Sequence, residues 1–261
     1  YEIYQCDWSS DVCSSDLKGG GKSYLGCIWI VKMCTDERYK GLVYLIGRNS
    51  LTALESSTKQ TLMTILTKVG LVQGRDYSFN GNTRVITFKR TGSKIWLKHL
   101  CYEPTDPFYT RLNGIELTGA FADEINEIRE DCWNIIITML RHESLDKYGI
   151  SPKVLGCTNP DKGRVKNRFY DRHILGILDD KVKFIPALMG DNLMLNKEYK
   201  ETLRVLSIAQ YKRYVEGNWD YDDNPSAMCD WEDIQAMFDG AVLKDEAKDK
   251  YISADIALKG R

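Results

Sequence analysis

Apolar and polar positions along the chain fall into two alternating periods. From Ser23 to Cys34 apolar residues crowd one continuous stretch, which predicts a helix. GLVYLIG, ending at Gly47, is a short apolar run between glycines and predicts a buried strand. Leu51, Leu54, Leu62, Ile65, Leu66 and Val69 recur at helical spacing. Asp76 to Phe88 has the pattern of a hairpin that turns at Asn80-Gly81-Asn82. KIWLKHL, from Lys94 to Leu100, predicts a strand, and so does Glu116 to Ala122, which ends on Asp123-Glu124. A helix is predicted over Asp131 to Arg141, then a strand over Lys153 to Thr158 that ends on Asn159-Pro160. Lys181 to Pro186 completes the series as a strand, followed by helices near Lys197 to Leu206 and Ile208 to Val215.

Strands that alternate with helices predict an open, mostly parallel α/β sheet with helices on both faces. In such sheets the ligand sits beyond the carboxyl ends of the strands. The character changes from about Asp220 to Lys250, an acidic stretch whose one strong helix candidate is Trp231 to Phe238. It reads as a linker, and YISADIALKG begins a new strand after it. The expected organisation is a domain over 18–220, a linker over 221–250 and the start of a second domain over 251–261.

The first seventeen residues are set apart. CDWSSDVCSSDL, from Cys6 to Leu17, is polar, follows neither period and repeats the tripeptide SSD. It resembles the conceptual translation of a sequencing-library adapter, and residues 1–17 are read as a non-native segment outside the fold.

Composition narrows the class. Apolar residues make up 43% and charged residues 28% of 261, as in a soluble globular protein with a core. No window of eighteen apolar residues predicts a membrane span, and the start lacks the plan of a signal peptide. A cytoplasmic protein is therefore expected. The net charge of −1 excludes a protein that coats nucleic acid but leaves room for a local basic patch. Eight cysteines with no CxxC pair, beside only His99, His142 and His173, predict buried free thiols in a reducing compartment and no zinc site.

Three motifs carry candidate chemistry. KGGGKS, Lys18 to Ser23, has the small residues that let backbone N–H groups wrap phosphates, a lysine for the β and γ phosphates, and a hydroxyl for Mg²⁺. The helix that follows would point its positive end at the anion. The full pattern, G-x-x-x-x-G-K-[ST], wants a glycine where Asp16 stands, so the loop is expected to bind a triphosphate poorly as written. Without support elsewhere, GGGKS also suits an ordinary glycine-rich turn. GIELTGAFADEINEI stops an apolar run on Asp123-Glu124, the form of a Walker B strand, which is expected to lie beside the phosphate-loop strand in the sheet and where the first acid supports Mg²⁺ and the second activates water. An acid-rich helix start would read the same way. VLGCTNP ends a strand on Thr158 and Asn159, which suit either a γ-phosphate sensor or a plain Asn-Pro turn.

In this order, GGGKS, GIELTGAFADEINEI and GCTNPDKGRVKNRFYD resemble the ATPase segments of the large terminase subunit of tailed phages. EGNWDY, at Glu216 to Tyr221, resembles the close of that domain, and YISADIALKGR resembles the first strand of the terminase nuclease domain. The resemblance covers about Lys18 to Arg261. It implies a P-loop NTPase fold joined to the start of an RNase-H-like nuclease, and an ATP-driven motor that packs double-stranded DNA. It further implies work as a homo-oligomeric ring on a portal protein, beside a small terminase subunit, in the host cytoplasm. By the same resemblance Gly19, Gly20, Gly21, Lys22 and Ser23 bind ATP and Mg²⁺, and Asp123 supports the metal. Glu124 is the catalytic carboxylate, and Thr158 with Asn159 couples hydrolysis to motion. Asp255 would be the first metal-binding acid of the nuclease, which this chain, ending six residues later, is not expected to complete. Arg48, Arg75 and Arg111 are all candidates for the arginine that meets developing phosphate charge. Lys162, Arg164, Lys166, Arg168 and Arg172 form either a DNA-tracking patch or a solvated face. Another P-loop translocase such as a helicase, or a binding module that keeps the fold without the activity, are the competing readings.

Overall fold

A computed structural model describes residues 12–16, 21–187 and 202–221. The chain divides into two units after Tyr221, and all the described residues belong to the first. The expected Trp231–Phe238 helix, the YISADIALKG strand with Asp255, Gly19 and Gly20, and the first half of the expected 197–206 helix lie outside them, while the second half of that helix holds a short 3₁₀ turn, Leu203–Val205.

In chain order the elements are β1 (Val12–Asp16), α1 (Lys22–Thr35), β2 (Val43–Arg48), α2 (Leu51–Ala53), α3 (Lys59–Lys68), β3 (Tyr77–Asn80), β4 (Val85–Phe88) and β5 (Lys94–His99). Then follow β6 (Gly119–Asp123), α4 (Glu130–Thr138), α5 (Ser144–Tyr148), β7 (Lys153–Thr158), α6 (Asp171–Ile174), β8 (Lys183–Ala187) and α7 (Ile208–Tyr214). The eight strands form one sheet in the order β3-β4-β5-β2-β6-β7-β1-β8. Pairings from β5 to β8 are parallel, and β4 runs antiparallel to both β3 and β5. The α/β class and the mostly parallel sheet are as the hydrophobic pattern predicts. At the hairpin tip Asn80 Oδ1 accepts from the backbone N–H groups of Asn82 and Thr83, the local bonding for which Asn suits a turn.

Two expectations are corrected. Val12–Asp16, read from sequence as lying outside the fold, supplies β1, paired along its length with β7 on one side and β8 on the other. A ladder is made by backbone groups, so a strand position can be filled without the apolar signature that announces one in sequence. The Walker B reading also places its strand beside the one that leads into the phosphate loop. Instead β7 lies between β6 and β1.

The central strands β2 and β6 are buried on both faces, as parallel strands require. Successive side chains point to opposite sides. Leu45, Ala120, Ala122 and Val154 face one core with Trp133, Ile136 and Phe169, while Tyr44, Ile46, Phe121 and Cys157 face the other with Cys27, Ile30, Leu62 and Ile65. The second core holds α1 against β6 at close range. A Cβ added at Gly26 would lie 2.4 Å from the Phe121 ring. Helix propensity disfavours glycine here by about 1 kcal/mol, so its presence reflects the approach of helix to strand.

Gly26→Ala should therefore lower stability by about 1–3 kcal/mol despite the better helix former, because the added methyl overpacks a closed core. Urea unfolding tests this, and a midpoint at or above that of the parent would show that Phe121 moves aside freely.

Candidate functional site

The carboxyl ends of β6 and β7 and the start of α1 converge on one cluster. Gly21 takes φ 88 immediately before α1, a left-handed turn that glycine adopts without strain, and it directs the first turn of the helix back toward the strand ends. Ser23 Oγ donates to Asp123, 3.0 Å from Oδ1 and 3.1 Å from Oδ2. Lys22 Nζ donates to the Thr158 carbonyl at 3.0 Å and to Asn159 Oδ1 at 2.7 Å. The three separated motifs thus meet in direct contact.

Asp123 is 1% exposed. A buried carboxylate needs donors on every side. Besides Ser23, Thr58 Oγ1 donates to Oδ2 at 2.6 Å, and Cys157 Sγ donates to Oδ1 at 2.9 Å. Burial and the neighbouring Asp123 charge push the Cys157 thiol well up, which keeps its proton in place as a donor. Neither Thr58 nor Cys157 belongs to the residues singled out from sequence. Thr58 arrives through a π-helical turn, Leu54–Thr58, set between α2 and α3. Such turns appear in helices mostly at functional positions. One signal was available: Thr58 stands between Leu54 and Leu62 at i+4 spacing, a polar residue on an apolar stripe.

Glu124 follows at φ 53, left-handed backbone that costs a non-glycine residue about 1–2 kcal/mol. A short 3₁₀ turn, Ile125–Glu127, leads away from it. The turn lifts the Glu124 side chain off the strand and toward Asn159, whose Nδ2 donates to both carboxylate oxygens at 3.0 and 3.2 Å. Asn159 therefore bridges the Lys22 ammonium and the Glu124 carboxylate with the two ends of one amide. Burial raises the Glu124 pKa above the usual carboxylate value and the Asp123 charge adds to this, while Lys22 and Arg48 oppose it. Thr158 is fully buried, and its Oγ1 donates to Asn126 Oδ1 at 2.8 Å, tying β7 to the segment after Glu124.

The structure separates the arginine candidates. Arg48 ends β2 in register with Asp123, and its buried Nε has no hydrogen-bond partner. Arg75 is exposed and paired with Asp76 at 2.9 Å. Arg111 is held by Asp106 at 2.9 Å and by the Cys101 carbonyl. The basic segment after Asn159 is largely engaged within the fold. Arg164 Nη2 caps the Ile125 and Ile128 carbonyls at 2.7 Å each, Lys166 pairs with Asp171 and Asp220, and Arg168 pairs with Glu130. Arg164, Arg168 and Arg172 also line an open groove of about 720 Å³ that includes none of the converging residues. No helix among the described residues is long and apolar enough to cross a membrane.

Known proteins with this fold are found by structure. A large terminase from a thermophilic bacteriophage superposes with a TM-score of 0.64 at 19% identity, over 82% of this chain and 49% of that one. The large terminase of bacteriophage HK97 gives 0.57 at 12% identity, over 80% and 46%. A point mutant of the Thermus phage P74-26 large terminase ATPase domain gives 0.51 at 13% identity, over 80% and 88%. The chain shares the fold of phage large terminases. It spans about half the length of the first two proteins and most of the P74-26 ATPase domain. One structure of the thermophilic-phage terminase is a complex with ADP. No protein-family model and no curated protein matches the sequence.

The two carboxylates can be probed by unfolding. Thr58→Val should cost about 1–3 kcal/mol in denaturant, since it removes a donor from a buried charge, while Thr58→Ser should retain most of the stability. Equal losses in the two variants would assign the effect to packing. Glu124 has a raised pKa in the fold, so its contribution to stability is fully present below the usual carboxylate pKa of about 4.3 and is lost as pH rises through the folded value. Glu124→Gln should therefore stabilise the protein at neutral pH, and its advantage should shrink on acidification. A pH-independent difference between the two proteins would contradict this.

Proposed function

We propose that this chain is the ATP-hydrolysing part of a phage DNA-packaging motor. The supporting observation is the direct contact of Lys22, Ser23, Asp123, Glu124 and Asn159 at the ends of neighbouring parallel strands. That placement is where open α/β sheets bind ligands, and the donor set matches a triphosphate with a hard divalent cation.

The residues present fit ATP and Mg²⁺ except at Asp16, where the phosphate-loop pattern wants a glycine. A helix of fourteen residues begins at Lys22, after a glycine whose φ is left-handed, and its free N–H groups would favour the phosphates. Lys22 offers the β and γ phosphates an ammonium that now rests on Asn159 and the Thr158 carbonyl. Ser23 and Asp123 would hold Mg²⁺, with Thr58 and Cys157 fixing the carboxylate from behind. Bound Mg²⁺ would supply neutralisation of charge on the phosphate oxygens. Glu124 orients a water molecule and accepts its proton as the water attacks, and the upward pKa shift suits it to that task. Asn159 carries the state of the phosphate end, through Lys22, to Glu124. Arg48 is the arginine best placed to meet the developing charge. Gly19 and Gly20 complete the phosphate loop in this reading.

The wider activity is part of the same proposal. Double-stranded DNA is the substrate moved, a portal protein the seat, a ring of copies of this chain the working form, and a small terminase subunit the partner, in the host cytoplasm. Asp255 would belong to a metal-dependent nuclease in the full-length protein.

In a chain whose phosphate loop is repaired with a glycine in place of Asp16, Lys22→Ala should weaken ATP binding in a nucleotide titration. In the same repaired chain, Glu124→Gln should keep binding but slow steady-state hydrolysis on the order of 10²–10⁴-fold. Hydrolysis at the parent rate in Glu124→Gln would overturn the assignment of the base. ATPase activity that neither DNA nor portal-bearing capsids stimulate would argue against a packaging motor while leaving the nucleotide site intact.

A further inference from the structure

A second cluster of reactive side chains lies where β5 ends, apart from the residues that converge on Asp123. His99, Cys101 and Glu103 each offer one ligand atom, and all three atoms lie within 4.8 Å of one another. His99 Nε2 is 2.9 Å from Glu103 Oε1, and Cys101 Sγ is 3.7 Å from the same oxygen. All three residues are half-buried.

The chemistry of the donors is specific. An imidazole nitrogen, a thiolate sulfur and a carboxylate oxygen are the ligand types of zinc, and hard cations such as Mg²⁺ do not favour the first two. In a tetrahedral zinc site with the usual bond lengths, ligand atoms stand about 3.3–3.7 Å apart. The Cys101–Glu103 separation already falls there, and the His99–Glu103 pair needs to open by about half an ångström. The second oxygen of Glu103 supplies a further observation. Oε1 faces His99 and Cys101, while Oε2 faces Arg111 Nη1 at 3.8 Å. Arg111 also donates to the Cys101 carbonyl and pairs with Asp106. Metal-binding carboxylates are commonly oriented in this way by an outer partner on the second oxygen.

We propose that His99, Cys101 and Glu103 bind one Zn²⁺ ion, with water in the fourth position. To ligate through Nε2, neutral His99 carries its one proton on Nδ1 and Glu103 is ionised, while the Cys101 thiol releases its proton to solvent, so the site tightens as pH rises. Charge balances locally: one thiolate and one carboxylate against one dication. A consequence for the fold is that the ion staples the loop after β5 and, through Cys101 and Glu103, the seat of Arg111. The H-x-C-x-E spacing is absent from the paired-cysteine patterns by which zinc sites are read from sequence, and the cysteine count by itself argued against one.

The test uses the full chain, freed of metal and without nucleotide, titrated with Co²⁺ and then with Zn²⁺. One equivalent of Co²⁺ should give thiolate-to-cobalt charge-transfer absorption with the strong visible bands of a tetrahedral ion, and Zn²⁺ should displace it while excess Mg²⁺ does not. Cys101→Ser should abolish the charge-transfer band, and Glu103→Gln, nearly identical in shape, should weaken binding about 10–100-fold. The urea midpoints of the metal-free variants should match that of the parent, which separates loss of a ligand from loss of the fold. Absence of a stoichiometric complex at micromolar protein, or a band that survives Cys101→Ser in a folded protein, overturns the proposal. Neither outcome bears on ATP hydrolysis, which is measured separately with Mg²⁺.

Discussion

A single buried carboxylate organises this structure. Asp123 lies at the end of the central strand, closed off from solvent, and accepts hydrogen bonds from α1, from the π-helical turn before α3 and from β7. An unpaired charge at that depth would cost several kcal/mol. Each donor therefore has to be delivered to within bonding distance by an element that is itself packed on the sheet. The fold can be read as the means of that delivery: β6 between β2 and β7 sets the carboxylate, Gly26 lets α1 lie close enough for Ser23, and the widened helical turn carries Thr58 inward.

The same constraint accounts for the uneven backbone nearby. The residue after Asp123 leaves the strand in a left-handed conformation, and the helical segment before α3 departs from regular α geometry for five residues. Strained or irregular backbone survives only where the surroundings over-determine it. Here the two cores on opposite faces of the sheet do so, Ile125 and Trp133 on one side and Leu54 and Leu62 on the other.

Much of this was legible before any coordinates. The alternation of periods located strands β2, β5 and β7 within a residue or two, and the strand-end motifs named Lys22, Ser23, Asp123, Glu124 and Asn159, which meet in space. What could not be read has physical reasons. Strand neighbours are a non-local property, so the insertion of β7 between β6 and β1 leaves no mark in either strand. β1 is made by backbone pairing, and its sequence VCSSD carries no apolar period to announce it. Cys157 looks like any buried thiol in a strand. Thr58 was visible only as a misfit on an apolar stripe, and nothing in the sequence says that Arg75 and Arg111 are paired with Asp76 and Asp106.

The Asn159 amide has a further consequence. It is planar and rigid, with an acceptor end on Lys22 and a donor end on Glu124. Its two ends cannot move independently, and their polarity cannot be exchanged without losing both bonds. A displacement of the Lys22 ammonium would therefore bear on the Glu124 carboxylate across one side chain, and a displacement of the carboxylate would bear equally on the ammonium.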